Sequence, residues 1–204
     1  MKKENTEETW DRLLQIRTGG RDDSRSDTYR YPYEPTPYAV LQRLVESGYL
    51  RKGDRLVDYG CGKGRVECFL AYQTGCHVIG IDYDERLLVR AQENREHCGC
   101  GRRIELQLTA AENYTVPEDV NRCYFFNPFS VEILQAVWRR IQDSYYENPR
   151  EILLFFYYPS DEYISWLMTV PELEFLDEIS CEDLFPGSDP RERILMFGIP
   201  GSEP

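Results

Sequence analysis

The chain predicts an α/β fold: a seven-stranded, mostly parallel sheet with helices on both faces and an antiparallel last strand. Three observations lead there. Short apolar runs alternate with helical patterns along most of the chain, which calls for right-handed crossovers between parallel strands. The run ILLFFYY from Ile152 is apolar throughout, as suits a strand covered on both faces. Two strand patterns, Leu173 to Ile179 and Ile194 to Ile199, then follow each other directly, and a hairpin there turns its last member antiparallel.

Glu7 to Ile16 is amphipathic, with Trp10, Leu13, Leu14 and Ile16 on one side, and predicts an N-terminal helix. Residues 18–35 form a connector, first rich in Gly, Arg, Asp and Ser and then in Tyr and Pro. Thr36 is the expected cap of the next helix, with Pro37 at its first position and Val40, Leu41, Leu44 and Val45 on its buried face. Gly48 and Gly53 close that helix, and Leu56 and Val57 begin the first strand. The segment VDYGCGKGR, residues 57–65, then runs from strand through three alternate glycines into a helix carrying Val66, Cys68, Phe69, Leu70 and Tyr72. Cys76 to Ile81 is a second strand ending at Asp82, and Asp84 caps the helix ERLLVRAQEN. Strands follow at Ile104 to Leu108 and Cys123 to Phe126, then a helix opening at Ser130 with Ile133, Leu134, Val137, Trp138 and Ile141 inward, then the strand Glu151 to Tyr158. Residues 1–50 are read as an N-terminal helical extension with an aromatic lid segment, and residues 51–204 as the core domain.

A chain of 204 residues suits one domain with a substantial core. It contains no apolar run of the roughly 18 residues a membrane helix needs. Met1 to Asn5 is charged rather than apolar, so no export signal is read there and a cytoplasmic location is expected. The seven cysteines are an odd number, and reduced thiols are the simplest account. His77, His97, Cys98 and Cys100 are the only grouping with metal-ligand chemistry, but Cys98 and Cys100 lack a second pair at zinc spacing, so no metal is expected. With 24 basic and 36 acidic residues the net charge is −12, which repels phosphate on average and makes a nucleic-acid partner an unfavoured expectation. Acids crowd the C-terminal part, from Glu172 to Glu192, as a solvated surface or as a patch for a cationic substrate.

The glycine turn decides the cofactor class. A dinucleotide turn has the order G-x-G-x-x-G, whereas Gly60, Gly62 and Gly64 give G-x-G-x-G and Arg65 stands in place of the third dinucleotide glycine. With Asp58 two residues ahead, the stretch resembles motif I of the class I S-adenosylmethionine-dependent methyltransferases. That resemblance implies a Rossmann-like fold with S-adenosylmethionine at the carboxyl ends of the strands. It implies Asp58 for the cofactor's ammonium, a close approach at Gly60, Cys61 and Gly62, Asp82 for the ribose hydroxyls, and Tyr83 against the adenine. Glu112, one turn beyond Thr109, is the expected acceptor for the adenine amino group.

Asn127-Pro128-Phe129 at the end of the fourth strand places Asn127 beside the transferable methyl group. Asn, any residue, Phe is similar to the non-SET histone-lysine methyltransferase branch, which also carries a Tyr and a Thr ahead of the helix preceding motif I. Tyr33 and Thr36 in the segment from Tyr33 to Tyr38 match those positions. The resemblance thus implies Asn127, Phe129 and Tyr33 as the catalytic set, and Thr36 and Asn127 among the cofactor contacts. The expected reaction is in-line displacement at the sulfonium methyl, with Tyr31, Tyr33 and Phe129 as walls that exclude water. The acceptor stays open, with an amine of a protein side chain or small molecule, cationic before reaction, among the classes aromatic walls favour. Two other functions remain as alternatives: a catalytically silent S-adenosylmethionine-binding regulatory or interaction protein, and an NAD-dependent oxidoreductase, which Arg65 disfavours.

Overall fold

Among the described residues seven strands lie in one sheet: β1 (Arg55–Tyr59), β2 (His77–Asp82), β3 (Ile104–Leu108), β4 (Arg122–Phe126), β5 (Ile152–Tyr157), β6 (Glu174–Ser180) and β7 (Arg193–Ile199). Their order is β3-β2-β1-β4-β5-β7-β6 in this computed structural model, which describes residues 6–201. The charged stretch Met1 to Asn5 lies outside the described residues. The first five strands run parallel, and β7 is antiparallel to both β5 and β6, as the closing hairpin predicts. The strand order reverses between β1 and β4, which opens a crevice outside their carboxyl ends.

Among the described residues six α-helices cover the sheet: α1 (Thr6–Leu14), α2 (Tyr38–Glu46), α3 (Arg65–Thr74), α4 (Glu85–His97), α5 (Val131–Glu147) and α6 (Asp161–Leu167). Strand alternation divides the core into two layers. Leu56, Val78, Tyr124, Phe155 and Tyr157 face the layer under α1, α2 and α3, while Val57, Ile79, Phe125, Leu154 and Phe156 face the layer under α5 and α6. The N-terminal helices belong to this core, since the Trp10 ring meets Phe69 of α3 at 4.9 Å. β6 is an exposed edge strand whose Asp177 and Glu178 discourage pairing with another chain.

Some boundaries differ from expectation. α1 stops at Leu14 rather than Ile16, because Gln15 turns left-handed (φ 59°) and the Ile16 N–H folds back to the Asp11 carbonyl at 2.9 Å. Thr36 does not cap α2: Pro37 holds the cap position, and the Thr36 hydroxyl accepts from Tyr124 Oη at 3.3 Å. α6 has no counterpart in the sequence reading; Ser160 caps it by accepting from the Tyr163 N–H at 3.2 Å. All seven cysteines are buried and unpaired, and His77 and His97 are exposed. Among the described residues no helix is long and apolar enough to cross a membrane, and no three His, Cys, Asp or Glu are placed to hold a metal ion.

Candidate active site

The glycine turn between β1 and α3 sits at the strand reversal and is clamped to the end of β2. The N–H groups of Gly60 and Cys61 both donate to the Ile81 carbonyl at 3.0 Å, and the Gly62 N–H donates to Asp82 Oδ2 at 2.8 Å. Two of its glycines are fixed by neighbours as well as by positive φ. A Cβ on Gly62 (φ 55°) would stand 2.2 Å from the Tyr33 ring, and one on Gly60 (φ 85°) 2.8 Å from Pro128 Cβ.

Beneath the turn lie three acids taken out of water. Asp58 of β1 pairs in register with Gly80 of β2, and the missing side chain of Gly80 admits Glu67 from α3, whose Oε1 is 2.4 Å from where a Cβ would be. Asp58 and Glu67 face each other with no donor among the described residues for Glu67, so they can hydrogen-bond only by sharing a proton. Burial pushes Asp58 up to about 7, the Glu67 hydrogen bond opposing and the Asp82 charge adding to it, and burial with the Asp58 charge pushes Glu67 well above the usual carboxylate range. Burial also raises Asp82 to about 6, against the opposing effect of the N–H groups of Asp84 and Gly62.

Two spaces open at the carboxyl ends of the strands. The first, about 760 Å³ and open to solvent, is lined by Gly60, Asp82, Tyr83, Thr109, Glu112 and Phe129 among others. The second, about 1230 Å³ and also open, is lined by Asn127, Tyr157, Tyr158 and Glu192 among others. Tyr31, Pro32, Glu34 and Phe126 are walls of both. The strap carrying three of these is stitched to the loop after β4: Tyr31 N–H donates to the Pro128 carbonyl at 3.1 Å and Ser130 N–H to the Tyr29 carbonyl at 2.8 Å.

Arg65 explains how that strap is held. Its side chain turns away from the glycine turn and is only 4% exposed. It donates to Thr18 Oγ1 at 2.7 Å and to the Thr36 carbonyl at 3.1 Å, and pairs with Glu7. Lys63 Nζ adds a bond to the Gly19 carbonyl at 2.8 Å.

The structure therefore gathers Gly60, Asp82, Tyr83, Glu112, Tyr33 and Phe129 around the first space and puts Asn127 on the second. Thr36, Asp58 and Cys61 are buried behind these walls and line neither space. Tyr33 is committed as packing, its hydroxyl donating to the Thr18 carbonyl at 2.6 Å. Glu112 Oε1 accepts from Arg30 at 2.6 Å, whereas its Oε2 is buried without a partner among the described residues. Arg30 went unread in the sequence; its guanidinium also stands 5.1 Å from the centre of the Tyr83 ring. Glu67 was missed too, although an acid on the apolar face of the helix after a glycine turn is a signal in itself.

Residues 50–140 match the family model described as "Methyltransferase domain". The fold is that of the class I S-adenosylmethionine-dependent methyltransferases. Among curated proteins, the chain is similar to Ribosomal protein L11 methyltransferase of Aeromonas hydrophila, 35% identical over 86 residues (42% of this chain, 29% of that protein). It is also similar to Phosphoethanolamine N-methyltransferase 1 of Zea mays, 30% identical over 79 residues (39% of this chain, 15% of that protein). The chain thus spans less than a third of the length of these relatives. Among solved structures, an RNA methyltransferase from Salinibacter ruber in complex with S-adenosyl-L-homocysteine superposes with a TM-score of 0.56 at 20% identity, over 84% of this chain and 97% of that one.

Proposed function

We propose that the protein transfers the methyl group of S-adenosylmethionine to an acceptor, with the donor in the first space. The observation that carries this reading is Asp82: a buried carboxylate at the end of β2, bonded to the amide of the glycine turn. Its two bonds, from the N–H groups of Gly62 and Asp84, leave about two of a carboxylate's four lone-pair directions for vicinal hydroxyls. The unpartnered Glu112 Oε2 suits an amino-group donor, and the Asp58–Glu67 pair places negative charge beneath the turn for an ammonium. These residues fit the cofactor.

When bound, the cofactor supplies a methyl already activated by a positive sulfur. The chain supplies alignment and dryness, with proximity contributing on the order of 7–11 kcal/mol. Asn127 Oδ1 holds an acceptor N–H, and Tyr31 and Phe129 keep water from the reacting atoms. Buried, unpaired thiols suit a reducing compartment such as the cytoplasm.

The test is calorimetric titration with S-adenosylmethionine and S-adenosylhomocysteine, with NAD as comparison and Asp82→Ala as control. Binding that Asp82→Ala abolishes supports the reading; no binding, or a preference for NAD, overturns it. Nucleic acid is a second reading of the acceptor, favoured by the Salinibacter neighbour's being an RNA methyltransferase. The net charge of −12 is a property of the whole chain and does not fix the field beside Asn127, so the expectation against nucleic acid gives way to a direct assay with RNA.

A further inference from the structure

The second space has features that donor binding does not require. β4 and β5 end side by side, with Phe126 and Tyr157 in register and their rings 4.6 Å apart. The next residue of each strand, Asn127 (φ 41°) and Tyr158 (φ 51°), is left-handed, a conformation uncommon for asparagine and rarer for tyrosine. Both line the space, and Asn127 Oδ1 is shielded from solvent with no donor among the described residues.

Its charge is acidic in the same place. Arg21, the cation on its wall, stands 3.6 Å from Glu34. Glu192 accepts from Tyr157 Oη at 2.7 Å and has no Lys or Arg partner among the described residues. One face of Tyr158 already carries a cation, Arg191, 4.5 Å from its ring centre. Aromatic faces beside a carboxylate select cations, and a buried carbonyl oxygen selects an N–H.

We propose that this space receives the methyl acceptor as a primary alkylammonium, its nitrogen at Asn127 Oδ1 and its charge against Phe126, Tyr157, Tyr158 and Glu192. The inference rests on the methyl-transfer reading above. The ammonium first loses a proton to Glu192 and thence to solvent. The freed lone pair forms the N–C bond as the C–S bond breaks with its electron pair staying on sulfur, leaving an N-methylammonium and a neutral thioether.

The test gives the full chain methyl-labelled S-adenosylmethionine with n-butylamine, with a lysine-containing peptide, or with ribosomal RNA. Label entering butylamine or the peptide lysine supports the proposal, and the two arms distinguish a free amine from a protein source. Glu192→Gln is expected to raise the KM for the labelled amine about tenfold while S-adenosylhomocysteine affinity stays unchanged. Tyr158→Leu, at the half-buried rim, gives the same split should Glu192→Gln fail to fold. Label in RNA alone, or in nothing although S-adenosylhomocysteine binds, overturns this inference and leaves the donor assignment standing. Failure of S-adenosylhomocysteine to bind overturns both.

Discussion

Alanine at Gly62 measures how tightly the strap and the turn depend on each other. The left-handed backbone costs an alanine about 1–2 kcal/mol. Its Cβ would fall 2.2 Å from two carbons of the Tyr33 ring, so the ring must leave. Leaving forfeits the hydroxyl bond to the Thr18 carbonyl, about 1 kcal/mol, and the Lys63 ammonium 4.7 Å over the ring, about 0.5 kcal/mol. Ring burial adds about 1.5 kcal/mol, the low end for a residue that is only partly buried. Gly62→Ala should then cost about 4–5 kcal/mol in the native chain. In a Tyr33→Ala background only the backbone cost of about 1–2 kcal/mol remains, so the two changes couple by about 3 kcal/mol. Urea unfolding of the four proteins reads this directly. Costs that add to within about 0.5 kcal/mol would refute the contact.

Burial lifts Asp82 to about 6 and Asp58 to about 7, so between about pH 4 and 7 the folded chain holds protons that the unfolded chain has lost. Ligand-free stability is therefore greatest below about pH 4 as far as these groups decide it and falls as pH rises through 6 and 7; a flat urea profile across that window would contradict the burial argument. Asp58→Asn should stabilise the ligand-free protein at pH 8 by up to about 4 kcal/mol, counting 1.4 kcal/mol per factor of ten between 3.8 and about 7, and should weaken S-adenosylhomocysteine binding in the same samples. Arg30→Gln breaks a pair with Glu112 whose side chains are only 25% and 28% exposed, so unfolding shifts by about 1 kcal/mol while hydrogen exchange at the Tyr31 N–H accelerates.

The sheet was legible because its signals are periodic: the apolar runs at 56–57, 76–81 and 152–157 and the acids at their ends recur as β1, β2, β5, Asp58 and Asp82. The turn was legible because glycine is irreplaceable where a backbone or ring must come close, as at Gly60 and Gly62. Arg65 was read only as an obstacle to a third glycine, since nothing local says that its guanidinium reaches Thr18, 47 residues away. Arg30 lies in a connector with no period at all, and its partner Glu112 is 82 residues distant. The left-handed Tyr158 could not be read because a tyrosine ending an apolar run gives no hint of positive φ. The acids after Glu172 proved less free than their spacing suggests, with Asp183 on Arg43, Glu178 on Arg193 and Asp177 on Tyr49.

The strap at residues 31–34 is a wall common to both spaces. A ligand in either one that shifts it changes the shape offered to the other. Thermodynamic reciprocity then fixes the outcome: whatever factor an acceptor adds to the grip on the donor, the donor adds to the grip on the acceptor. Equilibrium dialysis of each ligand with and without the other should return one and the same number twice.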